Sequence, residues 1–185
     1  MNRFKFMDLL NEEEYSFREE GNKIVIDHDS DIYLSDLISI PPDILFQNDG
    51  SVDLSGVLSI PKGIEFDNKI DVVLAGTLSL SPGTKFRNRR DLFLDSLQSI
   101  GKGIIFKNRG EIHLQSVSSI GEGIIFSNGK ELYFTGGKIP DFSKGVRFEN
   151  NGAIYFNEDS FNPEFFIGGI RRKEILNCLI KQIYG

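Results

Sequence analysis

The chain has no tryptophan, one cysteine, two histidines and six prolines in 185 residues. The lone cysteine, Cys178, excludes an internal disulfide framework and fits a reducing compartment. No apolar run approaches the ~18 residues of a spanning helix. The stretch from Met1 to Leu10 is broken by Lys5 and Asp8, so it does not read as a secretory signal. Basic excess is missing too: the net charge is −6 and the pI about 5.0, against the positive face that phosphates demand. A phosphate loop, a nucleophile elbow and a zinc motif are all absent. Together these absences lead us to expect a soluble cytoplasmic protein that is not an enzyme. It would hold no cofactor and no metal, and would make no direct contact with nucleic acid or membrane.

What the chain has instead is phenylalanine, 16 of them, and 19 glycines. Phe46, Phe66, Phe86, Phe106 and Phe126 recur at a fixed interval of twenty, and Asn48, Asn68, Asn88, Asn108 and Asn128 follow in phase. Leu34, Leu54, Leu74, Leu94 and Leu114, with Phe134 next, form a third column. Ser39 to Ser119 and Ile40 to Ile120 form two more, and Gly63, Gly83, Gly103 and Gly123 another. Upstream, Ile24 and Ile26 fall in the Ile and Phe columns, with His28 in place of Asn. Downstream, two residues are inserted between Thr135 and Ile139 before the pattern resumes at Phe142, Gly145, Val146, Phe148 and Asn150.

Self-similarity at a fixed short period is the signature of a repeat architecture. Within a unit the apolar residues alternate, as in Ile104-Ile105-Phe106 and Ile112-His113-Leu114, which is a strand period. The expected fold class is all-β. It is a three-sided parallel β-solenoid of about seven 20-residue coils, a rod roughly 30 Å long at strand spacing, with a C-terminal capping α-helix. Residues 1–22 read as an N-terminal cap segment, 23–157 as the solenoid and 158–185 as the helical cap. Phe4, Phe6, Leu9 and Leu10 would cover one open end. At the other, Asn162-Pro163 opens a helix and Ile175, Leu176, Leu179, Ile180 and Ile183 share one face. The Gly column predicts a corner at positive φ, and the Asn column an asparagine ladder.

Function has to be sought on the outward positions. The residue between the two inward ones of the second strand reads Tyr33, Asp53, Val73, Phe93, His113, Tyr133 and Tyr155. Such a ring stripe is either sheet-stabilising cross-strand stacking or an anchor surface for a protein partner. A third reading has the terminal helix folded over it. The first strand's outward column is Val25, Leu45, Glu65, Lys85, Ile105, Ile125 and Arg147, in which Ile105 and Ile125 would make a small exposed apolar patch. A homodimer would form through that patch or through the C-terminal helix. Asp31, Asp71, Asp91, Glu111 and Glu131 lie beside basic turns at Lys69, Arg89, Arg90, Arg109 and Lys130, which predicts a solvated lattice of salt bridges. His28 and His113 are four coils apart and share no metal. His28, with Asp27 and Asp29, reads as a polar corner.

Residues 63–80, together with Ser59-Ile60-Pro61-Lys62-Gly63-Ile64, resemble the LPxGLxVxGxLxL-like short repeat of uncharacterised bacterial and phage proteins, loosely related to leucine-rich repeats. The resemblance covers most of residues 30–157. This chain departs from that unit in using Phe and Asn where it has Val and Gly. The resemblance implies a non-enzymatic recognition surface in a bacterial or phage setting. The main expectation is therefore a binding module for a protein partner through Tyr33, Phe93, His113, Tyr133, Tyr155, Ile105 and Ile125. Two others stand beside it: a phage- or effector-type inhibitor acting as an acidic nucleic-acid mimic, and a glycan-binding or glycan-processing solenoid.

Overall fold

The computed structural model describes residues 1–136, 140–156 and, for the backbone alone, 159–161. The expected C-terminal helix and Cys178 lie outside the described residues.

The chain is a β-solenoid of about six turns, mostly parallel, with one short helix among the described residues. Seven strands, from Lys23–Ile26 to Arg147–Asn150, stack in parallel as the first sheet. Seven more, from Ile32–Tyr33 to Ile154–Phe156, make the second. Two-residue strands ending in the Ile40-type column form smaller sheets, Ser59–Ile60 with Ser79–Leu80, and Ser99–Ile100 with Ser119–Ile120 and Asp141–Phe142. Every register is the one the columns imply: Phe86 lies opposite Phe66 on one side and Phe106 on the other. The offset between paired residues grows from 20 at His113 and Tyr133 to 22 at Ile120 and Phe142 and stays so at Phe126 and Phe148.

The core is the stack of these columns. Phe46, Phe66, Phe86, Phe106 and Phe126 are all fully buried. Their rings, with Phe148, run parallel at centroid separations of 4.8–5.3 Å, about one strand spacing. The backbone spacing alone thus brings each ring into contact with the next, which favours one residue type per column. At the corner after the first smaller strand, Gly63, Gly83, Gly103, Gly123 and Gly145 all have φ between 73° and 89°. In the first turn Asp43 occupies that place at φ 60°, and Asp tolerates the left-handed region better than most residues.

Both ends of the ladder change direction. At the start, Phe17–Glu20 pairs antiparallel with Lys23–Ile26 across a turn at Gly21, φ 59°. Arg18, Glu19 and Glu20 give this edge the charges that discourage further pairing. Helix Arg3–Glu12 precedes it. Asn2 caps the helix by accepting from the Lys5 N–H at 2.9 Å. Phe6 and Leu10, one turn apart, are fully buried in the core, whereas Phe4 is 73% exposed. At the far end Asp159–Phe161 pairs antiparallel with Ile154–Phe156.

Candidate functional site

The inward residues are spoken for by packing, so any recognition chemistry sits on the outward positions of the two large sheets. On the second sheet Phe93, His113, Tyr133 and Tyr155 form a second, outer ring stack. Centroid separations are 4.7, 4.7 and 4.9 Å, and successive planes lie within 22°, 19° and 8° of parallel. All four rings are half-buried. Each inner face of the stack is covered by the next ring, so the group presents ring edges to solvent. His113 Nε2 lies 3.2 Å from Glu111 Oε2, which fixes the imidazole in the column. Burial, reinforced by Glu111 and Glu131, pushes the Tyr133 phenol above its ordinary pKa.

Tyr33 does not belong to this stack. Asp53 and Val73 occupy the two intervening places, and Tyr33 is 63% exposed at the N-terminal end. Its hydroxyl donates to Asp31 Oδ2 at 3.0 Å, and this bond holds the phenol pKa up. Its backbone N–H donates to the Tyr15 hydroxyl at 2.9 Å, so it is tied to the N-terminal cap. Ile105 and Ile125 are adjacent in register on the first sheet, but both are half-buried, and the exposed apolar patch expected there is not formed. Val25, expected on the same outward column, is fully buried; it sits between Arg18 and Leu45 in the ladder, flanked by longer side chains.

The large exposed aliphatics lie elsewhere: Ile38, Leu58 and Leu78 are 46–69% exposed and one turn apart. Leu58 N–H donates to Ile38 O and Leu78 N–H to Leu58 O, which aligns them in a ridge. Their spacing of twenty was visible in the sequence, but the column continues as Gln98 and Ser118 and so did not read as apolar.

The acidic column has a different role from the expected lattice. Asp31 Oδ1 accepts the Ser51 N–H at 2.7 Å, Asp71 Oδ1 the Asp91 N–H at 2.9 Å, and Asp91 Oδ1 the Glu111 N–H at 2.7 Å. Each carboxylate ties its own turn to the next one through the backbone. The Ser51 N–H, followed by the Tyr33 hydroxyl, holds Asp31 below the usual carboxylate range. Among the basic turn residues only Lys69 forms an ion pair with a described residue, Asp49 at 2.6 Å. The denser charge cluster is on the first sheet, where Glu65 meets Lys23, Lys85 and Arg87 at 2.6, 3.0 and 3.3 Å. Burial works to raise the Glu65 pKa, but the bonds from Lys23 and Lys85 outweigh it and the net shift is downward.

The Asn side chains are buried at the corner between the sheets. Asn48, Asn68, Asn88 and Asn128 each donate Nδ2–H to the carbonyls two and three residues ahead, and Asn108 to the one three ahead, at 2.8–3.2 Å. Their Oδ1 atoms are buried without a partner among the described residues. His28, at the Asn position of the first turn, accepts from the Ser16 N–H at 3.3 Å and faces the Ser30 hydroxyl at 2.9 Å. It serves as a corner, as its flanking residues suggest. Among the described residues no group of three or more His, Cys, Asp or Glu side chains is placed to hold a metal ion, and no helix is long and apolar enough to cross a membrane.

These features define the class of the molecule, a β-solenoid repeat protein with a buried aromatic stack. No protein-family model matches the chain, and no curated protein and no solved structure matches it either.

Proposed function

We propose that the chain is a non-enzymatic binding module of cytoplasmic origin, a three-sided rod of seven coils that recognises a protein partner through the outer ring stack. The single observation that carries this is the stack of Phe93, His113, Tyr133 and Tyr155 on an outward face. Four rings held in register by the ladder are rigid, so little side-chain freedom is lost when a partner covers them. Because the ring faces are turned to one another, the surface offers edges. Edge contact suits a partner's apolar and aromatic side chains better than it suits a sugar, which packs on an open ring face. The helix expected from Asn162 onward, within the cap segment 158–185, would close the last turn and complete the rod, and an asparagine ladder would hold its corner.

The test is affinity capture from host lysate with wild type and with the double variant Phe93→Ala, Tyr133→Ala. A partner retained by wild type and lost by the variant supports the reading. Equal recovery on both overturns it.

A further inference from the structure

Charge along this acidic chain is unevenly placed. Residues 85–110 hold seven Lys or Arg and two Asp, a local net of +5 within a chain of −6. The solenoid gathers most of these cations onto one corner. The Arg89 N–H donates to Asn68 O at 3.1 Å and the Arg109 N–H to Asn88 O at 3.2 Å, so Lys69, Arg89 and Arg109 stand one turn above another. Lys85 pairs with Ile105, which sets Arg87 beneath Lys107 in the neighbouring column. Side chains in one column are about 4.8 Å apart at their roots, and alternate residues along a strand about 6.6 Å apart.

Like charges so close repel one another unless something neutralises them. Lys85 and Arg87 have Glu65, and Lys69 has Asp49. Arg89, Arg90, Lys107 and Arg109 are exposed and form no ion pair among the described residues. In the adjacent acidic column Asp71 and Asp91 each give Oδ1 to a backbone N–H, and Glu111 gives Oε2 to His113.

We propose that the corner formed by Arg89, Arg90, Lys107 and Arg109 binds a short acidic peptide segment of a partner protein. Three of the four cations are arginines, whose planar guanidinium suits carboxylate pairs. The patch is also small and fenced. Below it the same two columns carry Asp67 beneath Arg87 and, under the paired Lys69, Asp49. Above it they pass through the uncharged Ser127 and Gly129 to Glu149 two turns up, and Asp91, Glu111 and Glu131 run alongside. A short acidic stretch fits inside that fence, whereas a nucleic acid, charged along its whole length, would overrun it onto the carboxylates. The inference does not rest on the ring stack, which lies on the second sheet.

The probe is fluorescein-labelled octaglutamate, titrated with the full chain and followed by anisotropy at about 50 mM and about 200 mM salt. Wild type should bind it, more weakly at the higher salt. Arg89→Glu with Arg109→Glu should lower affinity by about tenfold or more, while Lys62→Glu with Lys144→Glu, the same charge change outside the patch, should leave it within about twofold. Phe93→Ala, Tyr133→Ala should bind octaglutamate like wild type, which separates this idea from the ring-stack reading. Far-ultraviolet dichroism checks folding, and Arg89→Gln with Arg109→Gln replaces the reversal if that variant does not fold. No binding by wild type, an equal loss in the control variant, or tighter binding of an oligothymidylate of matched length overturns the proposal.

Discussion

Phe86 sits midway along the inner ring stack and is the sharpest place to test what holds the solenoid together. Its side chain is fully buried, with Phe66 and Phe106 each at 5.3 Å and their planes within 2° and 11° of its own. Phe86→Ala removes the ring, both stacking contacts and the water exclusion they provide. Buried Phe→Ala changes cost about 3–5 kcal/mol, and each lost ring contact accounts for about 0.5–1.5 kcal/mol within that sum. The upper half of the range applies here, since neighbours spaced by the backbone ladder are poorly able to collapse into the hole. Phe86→Leu keeps part of the volume and should cost about 2 kcal/mol, at roughly 0.8 kcal/mol per methylene-sized group lost. Phe4→Ala, at a residue 73% exposed, is the control and should stay within about 0.5 kcal/mol. The assay is urea unfolding followed by far-ultraviolet dichroism. Because each turn contacts only its neighbours, a central hole should also loosen the joint between the halves and lower the m-value. If Phe86→Ala falls within about 1 kcal/mol of wild type, or costs no more than Phe4→Ala, the inner stack is not what stabilises the rod.

Two further predictions concern the backbone corner and a half-buried carboxylate. Gly83 has φ 89°, and a Cβ there would meet no atom within 4 Å, so Gly83→Ala isolates the conformational penalty from any clash. It should lose about 1–2 kcal/mol in urea unfolding; no loss would show that the corner relaxes freely. Asp95 is half-buried, its Oδ1 lacks a partner among the described residues, and burial pushes its pKa up against the opposing pull of His113. A folded pKa above the unfolded one means that the folded state holds the proton more tightly. The ionised form therefore costs stability above the folded pKa, and that cost vanishes below the unfolded value near ~3.9. Asp95→Asn should accordingly raise the urea midpoint at neutral pH and match wild type at about pH 3.5. A gain that persists unchanged in acid would point to a cause other than charge burial.

The inward half of the molecule could be read from sequence because stacking enforces it. A residue such as Phe106 packs on its own equivalents one turn away, so the same type is favoured at each turn and the column shows. Register followed from the same logic, including the extra residues before Asp141. The N-terminal cap was harder. Phe6 and Leu10 occur once each and lie in no column, and the hairpin across Gly21 is antiparallel where the repeat is parallel. Outward positions were legible only as composition. Asp91 beside Arg90 looks like a salt bridge in one dimension, yet the carboxylate reaches the Glu111 N–H one turn up, because that donor is fixed and the arginine is free to sample solvent. Ile105 and Ile125 looked exposed, but outward rows on a sheet shield one another.

That last point bears on where recognition can arise in such a fold. A parallel ladder repeats its backbone every turn, so it repeats any outward chemistry that the sequence also repeats. The acidic column does this, and in Asp31, Asp71 and Asp91 one carboxylate oxygen is taken up by the ladder itself. Chemistry left over for a partner must therefore come from columns that break phase. The ring stack begins only at Phe93, after Asp53 and Val73, and the cluster of neighbouring cations without an ion pair among the described residues lies in the turns around Arg89 and Arg109. Both interruptions fall in the second half of the rod, on different faces, while the exposed ridge of Ile38, Leu58 and Leu78 ends where they begin. Interior columns must stay uniform for the rod to stand, whereas an outward column is free to change identity partway along. In this chain the changes in two outward columns, to rings at Phe93 and to unpaired arginines at Arg89, occur within one turn of each other.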